Sequence, residues 1–265
     1  MDFIVNNENN IRLLCFIGFL IFFYVFEFFF PIFKRNKGSY KRWFVNLSLV
    51  LIDTILLRLI FPILAVGFSV ICMEYNIGLF NILNLPIFIE LIISFVLLDF
   101  GIWLQHLLFH KIKFLWRFHK VHHSDEEVDF STGIRFHPGE ILISMLYKIF
   151  LVVLIGPAVG LLIIFEVVLN ASSIFNHSNI IIPKYFDIIL RKIIVTPNMH
   201  RIHHSIMEKE TNSNFGFNFS IWDKIFGTYI QSPNSNVKFI TGLLEFNKVT
   251  EKSLLFLLIS PFKKL

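Results

Sequence analysis

Four long apolar stretches dominate the chain, and its polar residues collect between and after them. Ile11 to Phe33 carries a single acid, Glu27. Phe44 to Met73 is interrupted by Asp53 and Arg58, and Pro86 to Phe109 forms a third run. Each exceeds the roughly 18–20 residues a helix needs to cross about 30 Å of hydrocarbon. Three membrane spans are therefore predicted. The first is expected to be a retained anchor, because Met1 to Glu8 has no basic n-region and the run is too long for a signal peptide. Ile141 to Asn170 fits either one tilted span or a hairpin broken at Gly156-Pro157, where proline and glycine together mark a turn. The polar segments Asp125 to Glu140 and Thr196 to Asn247 predict one lobe of short helices and turns. Val249 to Ile259 predicts an interfacial helix ending at Ser260-Pro261. No repeat or low-complexity tract divides the chain, so residues 1–265 are read as one domain.

Composition agrees with a membrane protein. Hydrophobic residues make up 55% of the chain and charged residues only 16%, too apolar for an ordinary soluble globule. Phenylalanine supplies 34 residues, which either codon bias or selection for lipid-facing bulk accounts for. The net charge of +5 is read as basic loops facing an anionic membrane surface, not as a nucleic-acid footprint. Lys34 to Arg42 holds five basic residues, Glu74 to Leu85 none, and Lys111 to Lys120 four. By the positive-inside rule the first and third of these loops are cytoplasmic, and the three spans alternate consistently. Cys15 and Cys72 have neither metal-site spacing nor the pattern of a disulfide framework.

The candidate chemistry lies in the histidines. All ten fall within 99 consecutive positions, a clustering that composition does not produce. His106 and His110 stand at i and i+4. His119, His122 and His123 stand at i, i+3 and i+4, and His200, His203 and His204 repeat that pattern. On a helix these offsets gather imidazoles on one face, where they can converge on a metal. The H-E-x-x-H motif of zinc hydrolases is absent. Eight to ten histidines exceed what one zinc takes, so two metal ions are expected; spacing alone leaves iron, copper, zinc and nickel open. A single site needs all three clusters on one side of the membrane. That favours the hairpin over a single crossing, and predicts an all-α integral membrane protein with four or five membrane helical segments and a cytoplasmic histidine-rich di-metal lobe. His137, just before Pro138 at an expected helix start, is read as a ligand or as a hydrogen-bond partner. Ligand imidazoles usually donate their second nitrogen to a carboxylate or carbonyl; the candidate acids are Asp99, Asp125, Glu126, Asp129, Glu140 and Asp223. Asn170, Asn176 and Asn179 are read either as satisfying backbone groups or as reaching a metal. Glu166 is expected to line a substrate entrance or to pair with Lys148.

At these residues the chain resembles the fatty acid hydroxylase / sterol desaturase superfamily of integral-membrane di-iron enzymes. The family's H-x3-H, H-x2-H-H and distal H-x2-H-H boxes match His106–His110, His119–His123 and His200–His204. The flanking Arg135-Phe-His-Pro, Phe175-Asn-His-Ser-Asn179, Thr196-Pro-Asn-Met-His200 and Trp222-Asp…Phe-Gly-Thr228 are also similar to the family. The resemblance covers roughly residues 85 to 230, and the Arg-Phe-His-Pro segment suggests the alkylglycerol monooxygenase-like bacterial branch. It implies two iron ions held by the box histidines and by His177, dioxygen as co-substrate, a lipid substrate, and electrons from a separate redox partner. That partner is expected to meet the basic stretch Lys111 to Lys120. The implied location is a bacterial cytoplasmic membrane, or the endoplasmic reticulum in a eukaryote. A desaturase would use the same metal site. A histidine-rich metal transporter is disfavoured, because it would place ionisable ligands within the spans, and a non-catalytic relative is disfavoured by the intact boxes.

Overall fold

The computed structural model describes residues 2–36, 38–83, 85–236, 239–246 and 253–263. Lys37 of the basic loop and residues 247–252, where the tail helix was expected to begin, lie outside the described residues. The described chain is helical, with isolated bridges but no strands. Eight helices carry the argument. They are α1 (Glu8–Phe29), α2 (Ser39–Ile60), α3 (Ala65–Glu74), α4 (Ile87–Lys111), α5 (Lys113–His123), α6 (Pro138–Ile155), α7 (Val159–His177) and α8 (Pro197–His203). Five stretches are long and apolar enough to cross a membrane: Glu8–Phe29, Ser39–Ile82, Ile87–Lys111, Pro138–Ile155 and Val159–His177.

The second apolar run is not one helix. α2 stops at Ile60, Phe61 turns extended (φ −111°, ψ 96°), and α3 begins at Ala65. Pro62 explains the break: its ring excludes the helical conformation from the preceding residue, and it has no N–H to donate. The run Ile141 to Asn170 resolves as the hairpin. α6 ends at Ile155, Gly156 adopts φ +65°, and α7 starts at Val159. Helices of 18 and 19 residues reach about 27–28 Å at 1.5 Å per residue, close to the full hydrocarbon thickness. A Cβ on Gly156 would lie 2.6 Å from Asn81 Nδ2 and 2.9 Å from the Ile77 carbonyl oxygen, so only glycine fits this corner. The tail forms a shorter helix than expected, Leu254–Ile259, which runs into a 3₁₀ turn at Ser260–Phe262.

The apolar core joins Leu98 and Ile102 of α4, Leu151 and Val152 of α6, Leu162 and Phe165 of α7, and Ala65 and Val66 of α3. Many large side chains on α1 and α2, such as Phe22, Phe28, Leu51 and Leu59, remain more than half exposed. In water that would be an aggregation surface; on a spanning helix it is the face that meets lipid. Polar clamps tie these spans to the lobe. Glu27, fully buried in α1, accepts hydrogen bonds from the backbone N–H of Phe130 (2.7 Å) and of Asn179 (2.8 Å), and pairs with Arg35 at 3.0 Å. Arg42 of α2 pairs with Asp125 (2.7 Å) and with Asp129. Buried acids within apolar runs are costly unless paired, and these are paired to the segments that frame the histidines.

Candidate metal centre

Nine histidines gather where the ends of α4 and α7 meet α5 and α8. They divide into two groups: His106, His110, His119, His123 and His203, and His122, His177, His200 and His204. Within each group the ligand atoms all lie within 4.8 Å of one another. Each H-x2-H-H box is split between groups. The i, i+4 pair of α5, His119 and His123, serves the first group, and His122 serves the second. At α8 the pair His200 and His204, the latter just past the helix end, serves the second group, and His203 serves the first. Adjacent imidazoles on a helix point about 100° apart, so two facing helices can supply both groups at once.

The second ring nitrogens fix the orientation of five rings. Nδ1 of His106, His122, His177 and His203 donates to the carbonyl oxygens of Phe215 (2.8 Å), Arg135 (3.2 Å), Ser173 (2.6 Å) and Ser213 (2.6 Å). His119 Nδ1 donates to Glu140 Oε1 at 2.7 Å. A carbonyl only accepts, so in the first four rings the proton sits on Nδ1 and Nε2 presents a lone pair. All five Nε2 atoms of the first group are buried and have no hydrogen-bond partner among the described residues. In the second group, His177 Nε2 lies 3.0 Å from the Nε2 atoms of His122, His200 and His204. Between His177 and His122 that contact sets lone pair against lone pair. Such an arrangement is repulsive unless a cation sits among the nitrogens. Four nitrogens around a metal at 2.0–2.1 Å in a tetrahedron stand about 3.3 Å apart, close to what is seen. The donor set therefore fits two metal ions.

Burial pulls the imidazoles of His119, His122, His123, His200, His203 and His204 below their ordinary value, His119 to about 3. Except for His119, neighbouring imidazoles add to the effect. The rings are thus neutral at physiological pH, the form that binds a metal.

The other candidates stand outside the groups. His137 caps α6: Nδ1 accepts from the Gly139 N–H at 2.9 Å and Nε2 donates to the Leu258 carbonyl at 3.1 Å, which leaves no nitrogen for a metal. Of the six candidate acids, Glu140 alone makes a hydrogen bond to a histidine ring among the described residues. Asp99 accepts from Trp222 Nε1 (2.8 Å) and from the N–H groups of Asn218 and Phe219, both at 3.3 Å. Asp223 accepts from the N–H groups of Phe215 and Gly216 (each 2.8 Å), from Trp103 Nε1 (3.1 Å) and from Thr228 (2.6 Å). Both acids pin the 215–222 loop to α4, and that loop delivers the Phe215 carbonyl to His106. Asp125 binds Arg42 and Thr132. Burial raises its carboxyl, but the charges of Arg42 and Arg135 outweigh that and hold it below the usual range. Asp129 binds Arg42 and Trp43, and the Glu126 carbonyl accepts from Thr241. Asn176 and Asn179 bond backbone groups at Phe217 and Phe33.

Sequence reasoning missed Arg135 as an organiser. It is fully buried, and its guanidinium binds the Val121 carbonyl, Ser124 and Asn46, while its own carbonyl orients His122. The backbone carbonyls of Phe215, Ser213 and Ser173 were also missed, since a carbonyl leaves no trace in residue type. Lys120 is not a surface charge either: it is buried, 3.6 Å from Glu245 and over the Phe246 ring. Lys111, Lys113 and Arg117 remain exposed.

A cavity of about 460 Å³ opens onto the first group, with His106, His119 and Glu140 in its wall. Ile102, Phe109, Ile134, Phe136, Met145 and Phe217 supply its apolar lining. Its lining extends to Leu13 on α1 and Thr54 on α2, both exposed, which places the mouth between these lipid-facing helices. Asn170 lines the same cavity, and so does Glu166, which pairs with Lys148 at 2.7 Å.

Residues 91–228, just over half of the chain, match the family described as Fatty acid hydroxylase. The chain belongs to that family. Every histidine of the two groups falls inside the matched region. The chain is 32% identical over 152 residues to an ornithine lipid hydroxylase, OlsE, of Rhizobium tropici, covering 56% of this chain and 44% of that protein. It is 30% identical over 156 residues to alkylglycerol monooxygenase of Homo sapiens, covering 57% and 32%. A cholesterol 25-hydroxylase of Rattus norvegicus is 27% identical over 158 residues, covering 55% and 48%. The chain thus spans less than half the length of each of these relatives. No solved structure matches.

Proposed function

We propose that this protein is a membrane-bound oxygenase that holds two iron ions and hydroxylates an unactivated C–H bond of a lipid. The carrying observation is that nine imidazoles, eight of them buried, form two convergent groups, and that the first group meets, through His106 and His119, a largely apolar cavity whose mouth faces the bilayer. The named activities of the three relatives, on ornithine lipid, alkylglycerol and cholesterol, support an amphipathic lipid as substrate class. Iron follows from the family, because imidazole alone suits several metals.

Two bound irons would supply the redox chemistry that turns dioxygen and two external electrons into oxidation of a C–H bond. The chain's own residues do the rest. The four carbonyls and Glu140 keep the proton on Nδ1 of their rings and aim each Nε2 inward. Ile102, Phe109 and Met145 bind the alkyl part of the substrate and exclude water from the reacting carbon. Electrons would enter from a partner protein docked over the exposed Lys111, Lys113 and Arg117. Trp116, whose ring lies 4.9 Å from His110 and 5.3 Å from His123, stands at that edge of the first group. The basic loops support a cytoplasmic position for this end of the molecule.

The test is metal content together with Mössbauer spectra of detergent-purified protein grown in iron-57. Two irons per chain with an antiferromagnetically coupled ferric signal are expected. Zinc alone after iron-replete growth would overturn the oxygenase reading. With iron in place, lipid products are analysed after reduction and oxygen exposure. Gain of one oxygen atom is expected; loss of two hydrogens instead would identify a desaturase.

A further inference from the structure

The cavity wall carries an acid that the metal chemistry does not use. Asp53 lies within α2, lines the cavity and is only 6% exposed. Its Oδ1 has no hydrogen-bond partner, and it makes no ion pair among the described residues. A buried acid with an unsatisfied oxygen in a membrane-spanning helix is costly and calls for a donor. The nearby charges of the same cavity do not supply one. Glu166 is held by Arg12 of α1 at 3.0 Å and by Lys148 of α6 at 2.7 Å, which commits both cations. Arg58, five residues after Asp53 and about 7.5 Å further along α2, bonds only the neutral Asn9 side chain among the described residues, at 3.3 Å. The polar wall of the cavity thus presents, among the described residues, an acid without an ion pair and, about one and a half turns away, a guanidinium with no acidic partner.

We propose that Asp53 receives the ammonium group of a zwitterionic, amine-bearing lipid, with Arg58 facing the lipid's anionic group. The assignment rests on reading the cavity as the lipid site. A plain acyl chain offers Asp53 no donor. A sterol or simple glyceryl ether offers it only a neutral hydroxyl, a weaker partner than a charged donor. An ammonium fills the open oxygen with a charged donor and favours the ionised carboxylate, and charge-assisted bonds are the strong ones in such surroundings. The mouth between α1 and α2 lets such a lipid enter sideways from the bilayer, with its headgroup passing Arg58 before reaching Asp53.

Native mass spectrometry of the detergent-purified, metal-loaded protein tests this without turnover. Lysophosphatidylethanolamine and its N-acetylated form are offered at equal concentration; acetylation removes the ammonium charge and keeps the phosphate and the chain. Wild-type protein is expected to retain the amine form about tenfold better, the size of one charge-assisted hydrogen bond. Asp53→Asn is expected to lose that preference. Equal retention of the two lipids by wild type, or retention of neither, overturns the assignment without recourse to any variant. A preference that survives in an Asp53→Asn protein of unchanged melting midpoint and metal content overturns it as well. Metal analysis of the same sample reads the oxygenase proposal separately. An amine preference without iron would keep the headgroup site and reject the oxygenase; two irons without a preference would do the reverse.

Discussion

His119 and Glu140 show how one contact sets the chemistry of a ring. The carboxylate holds the Nδ1 proton at 2.7 Å and leaves Nε2 free, buried and unpartnered. Glu140→Gln keeps the shape but replaces a charged acceptor by a neutral amide. It is expected to weaken metal binding about 10–100-fold, read by chelator competition against the wild-type protein. The split of the boxes gives a sharper expectation. His122 and His203 lie in different groups although both occupy the i+3 position of their boxes. His122→Ala and His203→Ala should each lower metal content from about two to about one per chain, measured by elemental analysis, because each removes one ligand from a different site. Loss of both metals in either variant would mean that the nine rings act as one cluster.

The hairpin of α6 and α7 determines whether the boxes meet at all. Its corner is built on Gly156, whose φ of +65° and contact with the 77–81 segment leave no room for a side chain. Gly156→Ala is expected to cost about 1–2 kcal/mol from the left-handed conformation alone. The clash with Asn81 and Ile77 adds to that, so the melting midpoint in detergent should fall clearly. An unchanged midpoint would mean that the corner is not rigid. Pro62 acts at the same scale. It turns one apolar run into α2 and α3, and lets α3 pack Ala65 and Val66 into the core beside α6.

Across the whole molecule, charge, hairpin and histidines make one statement about sidedness. If the lobe lies at the basic ends of the spans, Lys34→Cys and Lys209→Cys should react with a membrane-impermeant maleimide from the same side, and Tyr75→Cys from the other. All three positions are exposed. The background carries Cys15→Ser and Cys72→Ser, so the reading is unambiguous. Labelling of Lys34→Cys and Lys209→Cys from opposite sides would refute the hairpin topology. The cavity also belongs to this scale, since α1, α2, α4, α6 and α7 all contribute to its wall.

The sequence by itself determined the spans, the basic loops, the three boxes and the need for a hairpin at Gly156-Pro157. These depend on local composition and short spacing, which hydrophobic periodicity and ligand offsets report directly. It also marked Glu140 as a ring partner, though among five other acids that bind elsewhere. Only the tertiary structure decided which histidines share a site, because His122 and His123 are neighbours in the chain yet point to different centres. Only it could place the carbonyls of Arg135, Ser173, Ser213 and Phe215, since every residue carries one and its use depends on what folds against it. Glu27 and Asp53 look alike in sequence, each an acid in an apolar run. The fold gives Glu27 two backbone donors and an arginine, and leaves Asp53 at the wall of the cavity with an oxygen unpaired. Burial and partnership are long-range properties, set by segments a hundred or more residues apart, and no local pattern encodes them.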